Sequence, residues 1–156
     1  MKIAIATDHN GVNEKKIIIE TLKEKYEFVD KSPNNYATDD YPDFALEVAN
    51  AINNKEADFG ILMCGTGIGM SIAANKVKGI RAAHCSNTEQ ARLTRVDNDA
   101  NIICLSYKQD MKELISMINM FMNTEHSTEE RHLRRVQKIK DIEEGRIRWI
   151  TKLTYM

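Results

Sequence analysis

Cys64 closes an apolar run, Phe59 to Met63, and opens a glycine-rich turn, Cys64-Gly65-Thr66-Gly67-Ile68-Gly69. Alternating Gly65, Gly67 and Gly69 let the backbone take positive φ and approach a ligand closely. Successive N–H groups in such a turn form a concave nest with a helix N-terminus behind it, a setting that favours an anion. The pattern is not a Walker loop, since no Gly-Lys-Ser/Thr follows. Nor is it the dinucleotide fingerprint, because Met70 stands where that motif needs its final small residue. By itself a glycine-rich turn is as readily a tight strand-to-helix connection. The cysteine shifts the balance, because a thiol at a strand end beside main-chain N–H groups is favoured as the thiolate. A thiolate facing an anion nest suits proton transfer between adjacent carbons of a hydroxy-aldehyde. The thiolate is the base, and the nest holds enediolate charge that develops only as the proton leaves. Thr66 is placed to hydrogen-bond a substrate oxygen or to orient the base. This chemistry needs no metal and no cofactor.

A second cluster lies near the C-terminus, Arg131-His132-Leu133-Arg134-Arg135. Arg131 and Arg135 share one helical face at i and i+4, with His132 beside them. Two guanidiniums and an imidazole suit a phosphate, since arginine donates in a planar fork. A run of charge is more often a solvated face. His9, in the turn Asp8-His9-Asn10-Gly11, is a further candidate contact, or else a loop or helix-capping histidine. Cys104 and Cys85 sit in apolar strands and read as packing residues. An odd count of three cysteines, with no metal-like spacing and no secretory signal, points to free thiols.

The elements that must position these groups alternate between strand and helix. Strands are expected at Ile3–Thr7, Phe28–Asp30, Phe59–Met63, Ile80–Cys85 and Ile102–Leu105. Helices are expected at Val12–Tyr26, after Tyr41-Pro42-Asp43, at Met70–Lys76, Thr88–Val96 and Met111–Met122, and from Thr128 to about Glu144, where Gly145 is a stop. This order gives an α/β fold: a three-layer α/β/α arrangement on a five-stranded parallel sheet, Rossmann-like, with a C-terminal helix extension. Such sheets bind ligands at the carboxyl ends of their strands near a topological switch point. Asp8-His9 and Cys64 to Gly69 both follow strands directly. No linker or repeat divides the chain, which reads as one domain over residues 1–156, with 145–156, carrying Trp149, as an extension.

Bulk properties are those of an ordinary globular protein: 156 residues, 42% hydrophobic, 29% charged and a formal net charge of −1. Nothing in that balance argues for nucleic acid or membrane partners. The opening apolar stretch is too short for a signal-peptide core and no other run could span a bilayer, so the chain reads as cytoplasmic.

The residues also resemble a known family, the type B ribose-5-phosphate isomerases, which belong with the galactose-6-phosphate isomerase subunits. The matching segments are Asp8-His9, Asp40-Tyr41-Pro42-Asp43-Phe44-Ala45, and Gly60 through Gly69, running on through Met70-Ser71-Ile72-Ala73-Ala74-Asn75-Lys76 to Gly79-Ile80-Arg81-Ala82. Asn98-Asp99-Ala100-Asn101 and Arg131-His132…Arg135-Val136 follow in the family's order. The resemblance implies that Cys64 is the proton acceptor and that the loop Gly65, Thr66, Gly67, Ile68, Gly69 holds the enediolate. It also implies that Asp8, His9, Tyr41 and Asn98 contact the sugar or its phosphate, and that Arg131, His132 and Arg135 hold the phosphate. The expected partners are a small phosphorylated sugar and a second copy of the chain, in a homodimer or dimer-based tetramer with shared active sites.

The expected element order supports sharing independently, since Asn98 precedes the fifth strand, at the sheet end opposite Cys64. Three departures stand out. Asp97 occupies the place of a histidine that usually helps open the furanose ring, Glu129-Glu130 replaces a common Gly-Gly, and Tyr107 and Lys108 stand where an arginine-containing loop is common. Asp97 keeps a six-carbon sugar phosphate open as the substrate. A non-catalytic module binding a sugar phosphate or nucleotide is the alternative of a different class.

Overall fold

The computed structural model describes residues 1–146, so the expected tail around Trp149 lies outside the described residues. Five strands form one wholly parallel sheet: β1 (Lys2–Thr7), β2 (Glu27–Asp30), β3 (Phe59–Cys64), β4 (Ala82–His84) and β5 (Ile102–Ser106). The spatial order is β2-β1-β3-β5-β4. The helices are α1 (Val12–Leu22), α2 (Tyr41–Asn53), α3 (Ile68–Ala74), α4 (Thr88–Asn98), α5 (Met111–Met122) and α6 (Glu130–Glu143).

Strand alternation sorts the core into two layers. Ile3 and Ile5, Ile61 and Met63, and Ile103 and Leu105 face one side, packing with Ile18 and Leu22 of α1, Ala91 of α4, and Leu114, Met117 and Phe121 of α5. Ala4 and Ala6, Leu62 and Cys64, and Ile102 and Cys104 face the other, against Val48 and Ala49 of α2 and Met70 and Ala74 of α3. The small residues on this second face let α2 approach closely: a Cβ at Gly60 would lie 2.6 Å from Val48 Cγ1. Right-handed crossovers account for the layering. Leaving β1 for β2 and β4 for β5 puts α1 and α4 on one face, while leaving β2 and β3 in the opposite direction puts α2 and α3 on the other. The chain therefore reverses direction between β1 and β3, where strands in such sheets splay to leave a crevice.

Several boundaries differ from expectation. α2 begins at Tyr41 rather than after Asp43, because proline fits the first turn of a helix and Asp40, in extended conformation, occupies the N-cap position. α3 starts at Ile68, since Gly67 at φ +79° is already its cap. α1 stops at Leu22, and the turn through Lys25 returns Tyr26 to the core. β4 is only Ala82–His84: Arg81 turns its guanidinium to Asp99 and to the carbonyls of Asn98 and Asp99 instead of extending this edge strand. Gly145 does follow α6 as its stop, at φ +70°.

Candidate active site

Two strand ends build the first cluster. Thr7 pairs in register with Met63, so Asp8 and His9 leave β1 beside Cys64, the last residue of β3. The Gly67 N–H donates to Cys64 Sγ at 3.1 Å. That contact needs glycine twice over, through its positive φ and because a Cβ there would lie 2.9 Å from the Leu105 carbonyl carbon and 3.0 Å from the Cys104 oxygen. Ile68 N–H donates to Thr66 Oγ1 at 3.2 Å, so the threonine shapes the loop while its own O–H stays free to donate. The N–H groups of Gly69 and Met70 precede the first helical bond of α3, from Ser71 N to Gly67 O. The Tyr41 ring lies on Gly69, where a Cβ would come 2.7 Å from Tyr41 Cζ. Asp8, Cys64 and Gly67 are buried, His9, Gly65 and Gly69 half-buried, and Tyr41, Thr66 and Ile68 exposed.

β5 completes this edge. Ser106 Oγ donates to the Gly65 carbonyl at 2.8 Å and accepts the Lys108 N–H at 3.2 Å, while Tyr107 N–H donates to the Cys64 carbonyl. The loop is thereby strapped to the neighbouring strand, and the Lys108 ammonium lies 3.9 Å from where a Gly65 Cβ would be. Burial, then the neighbouring Asp8 and Cys64, push the Tyr107 phenol up; a hydrogen bond with Asn10 partly opposes them. The other cysteines are different in kind. Burial pushes Cys85 up to about 12, and burial with neighbouring thiols pushes Cys104 well above the ordinary thiol range. Both are packing residues, as expected.

The second cluster forms at the opposite edge of the sheet. Asn98 is the exposed last residue of α4, and Asp99 caps that helix at φ +47° while holding Arg95 at 2.9 Å and Arg81 at 3.1 Å. α6 crosses here. At its start His132 is buried, its Nδ1 3.6 Å from Asp97 Oδ1 and without a hydrogen-bond partner. At its end Glu143 accepts the Gly79 N–H and Glu144 pairs with Lys78. Arg135 is exposed with no acidic partner among the described residues, whereas Arg131 pairs with Glu129 at 2.7 Å. A cavity of about 440 Å³ opens beside Asn98, between α3, α4 and α6, lined in part by Asn75, Arg81, Thr94, Ile139 and Glu143. The strands between the two clusters hold them on the order of 15 Å apart. One chain thus brings Cys64, Asp8, His9, Tyr41 and the glycine loop together, and does not bring Asn98, Arg131, His132 or Arg135 to them.

Residues 3–139 match the family model described as Ribose/Galactose Isomerase. The chain belongs to this isomerase family. Among its relatives, ribose-5-phosphate isomerase B of Escherichia coli is 41% identical, with 93% of this chain and 98% of that protein aligned. The structure of ribose-5-phosphate isomerase B from Clostridium thermocellum superposes with a TM-score of 0.88 at 44% identity, covering 94% of this chain and all of that one. That of the Mycoplasma genitalium enzyme with bound ribulose-5-phosphate gives 0.85 at 44% identity, covering 92% and 96%. Membership makes the chain a sugar-phosphate isomerase.

The isomerase edge also contains residues that sequence reasoning missed. Asp39 accepts from both the main chain and the ring of His9. Asn35 donates to Asp39 and to the Thr7 carbonyl, and Ser32 Oγ accepts from the Thr7 N–H and from the buried Lys15. Apart from the Asn35–Asp39 bond, these pairings join residues 17 to 30 positions apart, which no local pattern announces.

Proposed function

We propose that this isomerase interconverts ribose 5-phosphate and ribulose 5-phosphate through an enediolate, with Cys64 as the base. The observation that carries the reading is the 3.1 Å hydrogen bond from Gly67 N–H to Cys64 Sγ, which fixes the sulfur against a loop rich in main-chain donors. Starting from the open-chain aldose, the thiolate takes the C2 proton. The electron pair forms C1=C2 as the C1=O pair moves onto O1, giving the enediolate; the O2 proton then passes to O1, C2=O forms, and Cys64 returns its proton to C1. Loop N–H groups stabilise charge that appears only in the transition state, so they act on rate more than on binding. Thr66 donates to a substrate oxygen, and Asp8, His9, Tyr41 and Asn98 hold the sugar.

Arg131, His132 and Arg135 bind the phosphate from a second copy of the chain, because their own Cys64 lies across the sheet. The working unit is then a homodimer, or a tetramer built from two such dimers, with sites at the subunit boundary. The domain is a single one, with residues 145–156 as its extension. Three free cysteines in the described chain suit a reducing compartment, the cytoplasm.

Asp97, 44% exposed at the side chain, supports a second reading in which a six-carbon sugar phosphate is the substrate. Turnover of a panel of five- and six-carbon sugar phosphates separates the two, with ribose 5-phosphate expected to give the highest kcat/KM. In D2O the wild type should carry deuterium into C1 of ribulose 5-phosphate, and Cys64→Ala should lose that exchange by at least about a hundredfold. Saturable binding without exchange would instead identify a non-catalytic binding module.

A further inference from the structure

Asp39 is a carboxylate surrounded by donors and tied to one imidazole. Its side chain is 4% exposed. Oδ1 accepts the His9 main-chain N–H at 3.0 Å and pairs with His9 Nδ1 at 2.7 Å. Oδ2 accepts from Asn35 Nδ2 at 2.8 Å and from the Tyr36 N–H at 3.2 Å. Burial pushes this carboxyl up, but the hydrogen bonds from Asn35, the His9 ring, and the His9 and Tyr36 main chains outweigh it and hold the group below the ordinary carboxylate range. It therefore meets His9 as an anion at neutral pH.

Two hydrogen bonds specify the same imidazole tautomer. An ionised Asp39 can only accept, so Nδ1 carries the hydrogen. Nε2 is then a lone pair, and the Asn10 amide lies 3.2 Å from it as a donor. His9 is one-third exposed at the side chain and leaves β1 next to Cys64. The carboxylate is itself anchored, since Asn35 also holds the Thr7 carbonyl at 3.0 Å. Buried Lys15 fixes the start of the same loop through the Ser32 carbonyl at 2.6 Å and Asp30 at 2.9 Å. Ring, carboxylate and loop form one unit that presents Nε2 at the strand end beside Cys64, where a substrate hydroxyl displaces the Asn10 amide to reach it.

An aldose 5-phosphate presents chemistry for that nitrogen which Cys64 does not perform. Ribose 5-phosphate rests as a furanose, a cyclic hemiacetal, and must become an open aldehyde before its C2 proton is acidic. Resting on the function proposed above, we propose that Asp39 is a positioning residue that aims His9 Nε2 at the substrate, and that His9 opens the ring. Nε2 takes the anomeric hydroxyl proton. The O1 electron pair forms the C1=O bond as the C1–O4 bond breaks, and the imidazolium returns its proton to O4. Atoms and charge balance within sugar and imidazole, and Asp39 stabilises the transient cation without taking its proton. The other imidazole at this edge, His84 at the end of β4, sets its ring against Gly67, with Cδ2 3.0 Å from where a Gly67 Cβ would be, but has no carboxylate partner among the described residues to fix its tautomer.

Ring opening is required of the aldose but not of the open-chain ketose, and this separates the two reactions. Asp39→Asn keeps an acceptor for His9 and removes the charge. It should lower kcat for ribose 5-phosphate about 10- to 100-fold with KM changed less than about threefold, while deuterium exchange into C1 of ribulose 5-phosphate stays within about threefold of wild type. His9→Gln should lose ribose 5-phosphate turnover at least as far, with KM rising for both sugars because His9 also holds them, and with exchange at saturating ribulose 5-phosphate falling less than turnover; this second variant guards against misfolding of the first. Equal loss of turnover and exchange in both folded variants would reduce the pair to a loop support. Unchanged turnover would remove His9 from ring opening. A wild type that shows no exchange would overturn the role of Cys64 and this inference with it, whereas the split confined to the variants bears on Asp39 and His9 alone.

Discussion

A methyl group on Gly69 cannot coexist with Tyr41 where it stands, since the Cβ would approach ring carbons to 2.7 and 2.9 Å. The phenol is the far end of a side chain 40% exposed, so it can swing away. Alanine is the better helix former by about 0.5–1 kcal/mol, which offsets the local crowding. Gly69→Ala should therefore leave the melting temperature within a few degrees of wild type while raising KM for ribose 5-phosphate several-fold as the Tyr41 hydroxyl leaves the site. An unchanged KM would remove Tyr41 from the substrate contacts. At this scale the sequence was legible where chemistry and chain neighbours coincide. Cys64 stood out because its turn has unusual composition, and Cys85 and Cys104 were separable from it by their apolar surroundings. Asp39 was not legible: its importance comes wholly from a contact 30 residues away. One carboxylate in the polar stretch before Tyr41 carries no periodic or compositional mark.

Elements succeed or fail by their ends. The α3 start is fixed by Gly67, whose φ of +79° suits glycine and whose missing Cβ leaves room for the β5 main chain. Gly67→Ala would cost about 1–2 kcal/mol for the left-handed backbone and about 1–3 kcal/mol more for crowding against main-chain atoms that cannot rotate aside. Denaturant unfolding should show a loss of about 2–5 kcal/mol with the slope unchanged; a loss below about 1 kcal/mol would mean that β5 and the loop part easily. The same ends explain what periodicity delivered. Met111–Met122 is a helix with a continuous apolar stripe, Leu114, Met117, Ile118 and Phe121, and its limits match the structure. α2 was placed too late because Pro42 looks like a barrier when read along the chain, although in a first turn its missing N–H has no helical partner to lose. β4 was read too long because apolar residues do not reveal that Arg81 is committed to Asp99.

Across the whole molecule the two chemical clusters cannot meet within one chain, because parallel strands carry the polypeptide from one edge of the sheet to the other between them. Cys64 sits opposite Ser106 at one end of the β3–β5 pair, while Asn98 precedes the start of β5 at the other. The Cys64 edge also presents apolar surface, with Ile68 49% and Ile72 57% exposed beside Tyr41, an arrangement suited to burial against a second copy. If sites are shared in a homodimer, Cys64→Ala and Arg135→Ala subunits complement each other. Free exchange of equal amounts makes half of the dimers mixed, and each mixed dimer holds one intact site and one doubly altered site, so about a quarter of wild-type activity returns. The measurement is turnover of ribose 5-phosphate after the two inactive variants are unfolded together and refolded, against each refolded alone. Recovery to that fraction requires a base from one chain and an arginine from the other. Recovery of nothing, with mixed dimers demonstrated by differential tagging, would mean that Cys64 and Arg135 of one chain serve the same site, and sharing between subunits would be overturned.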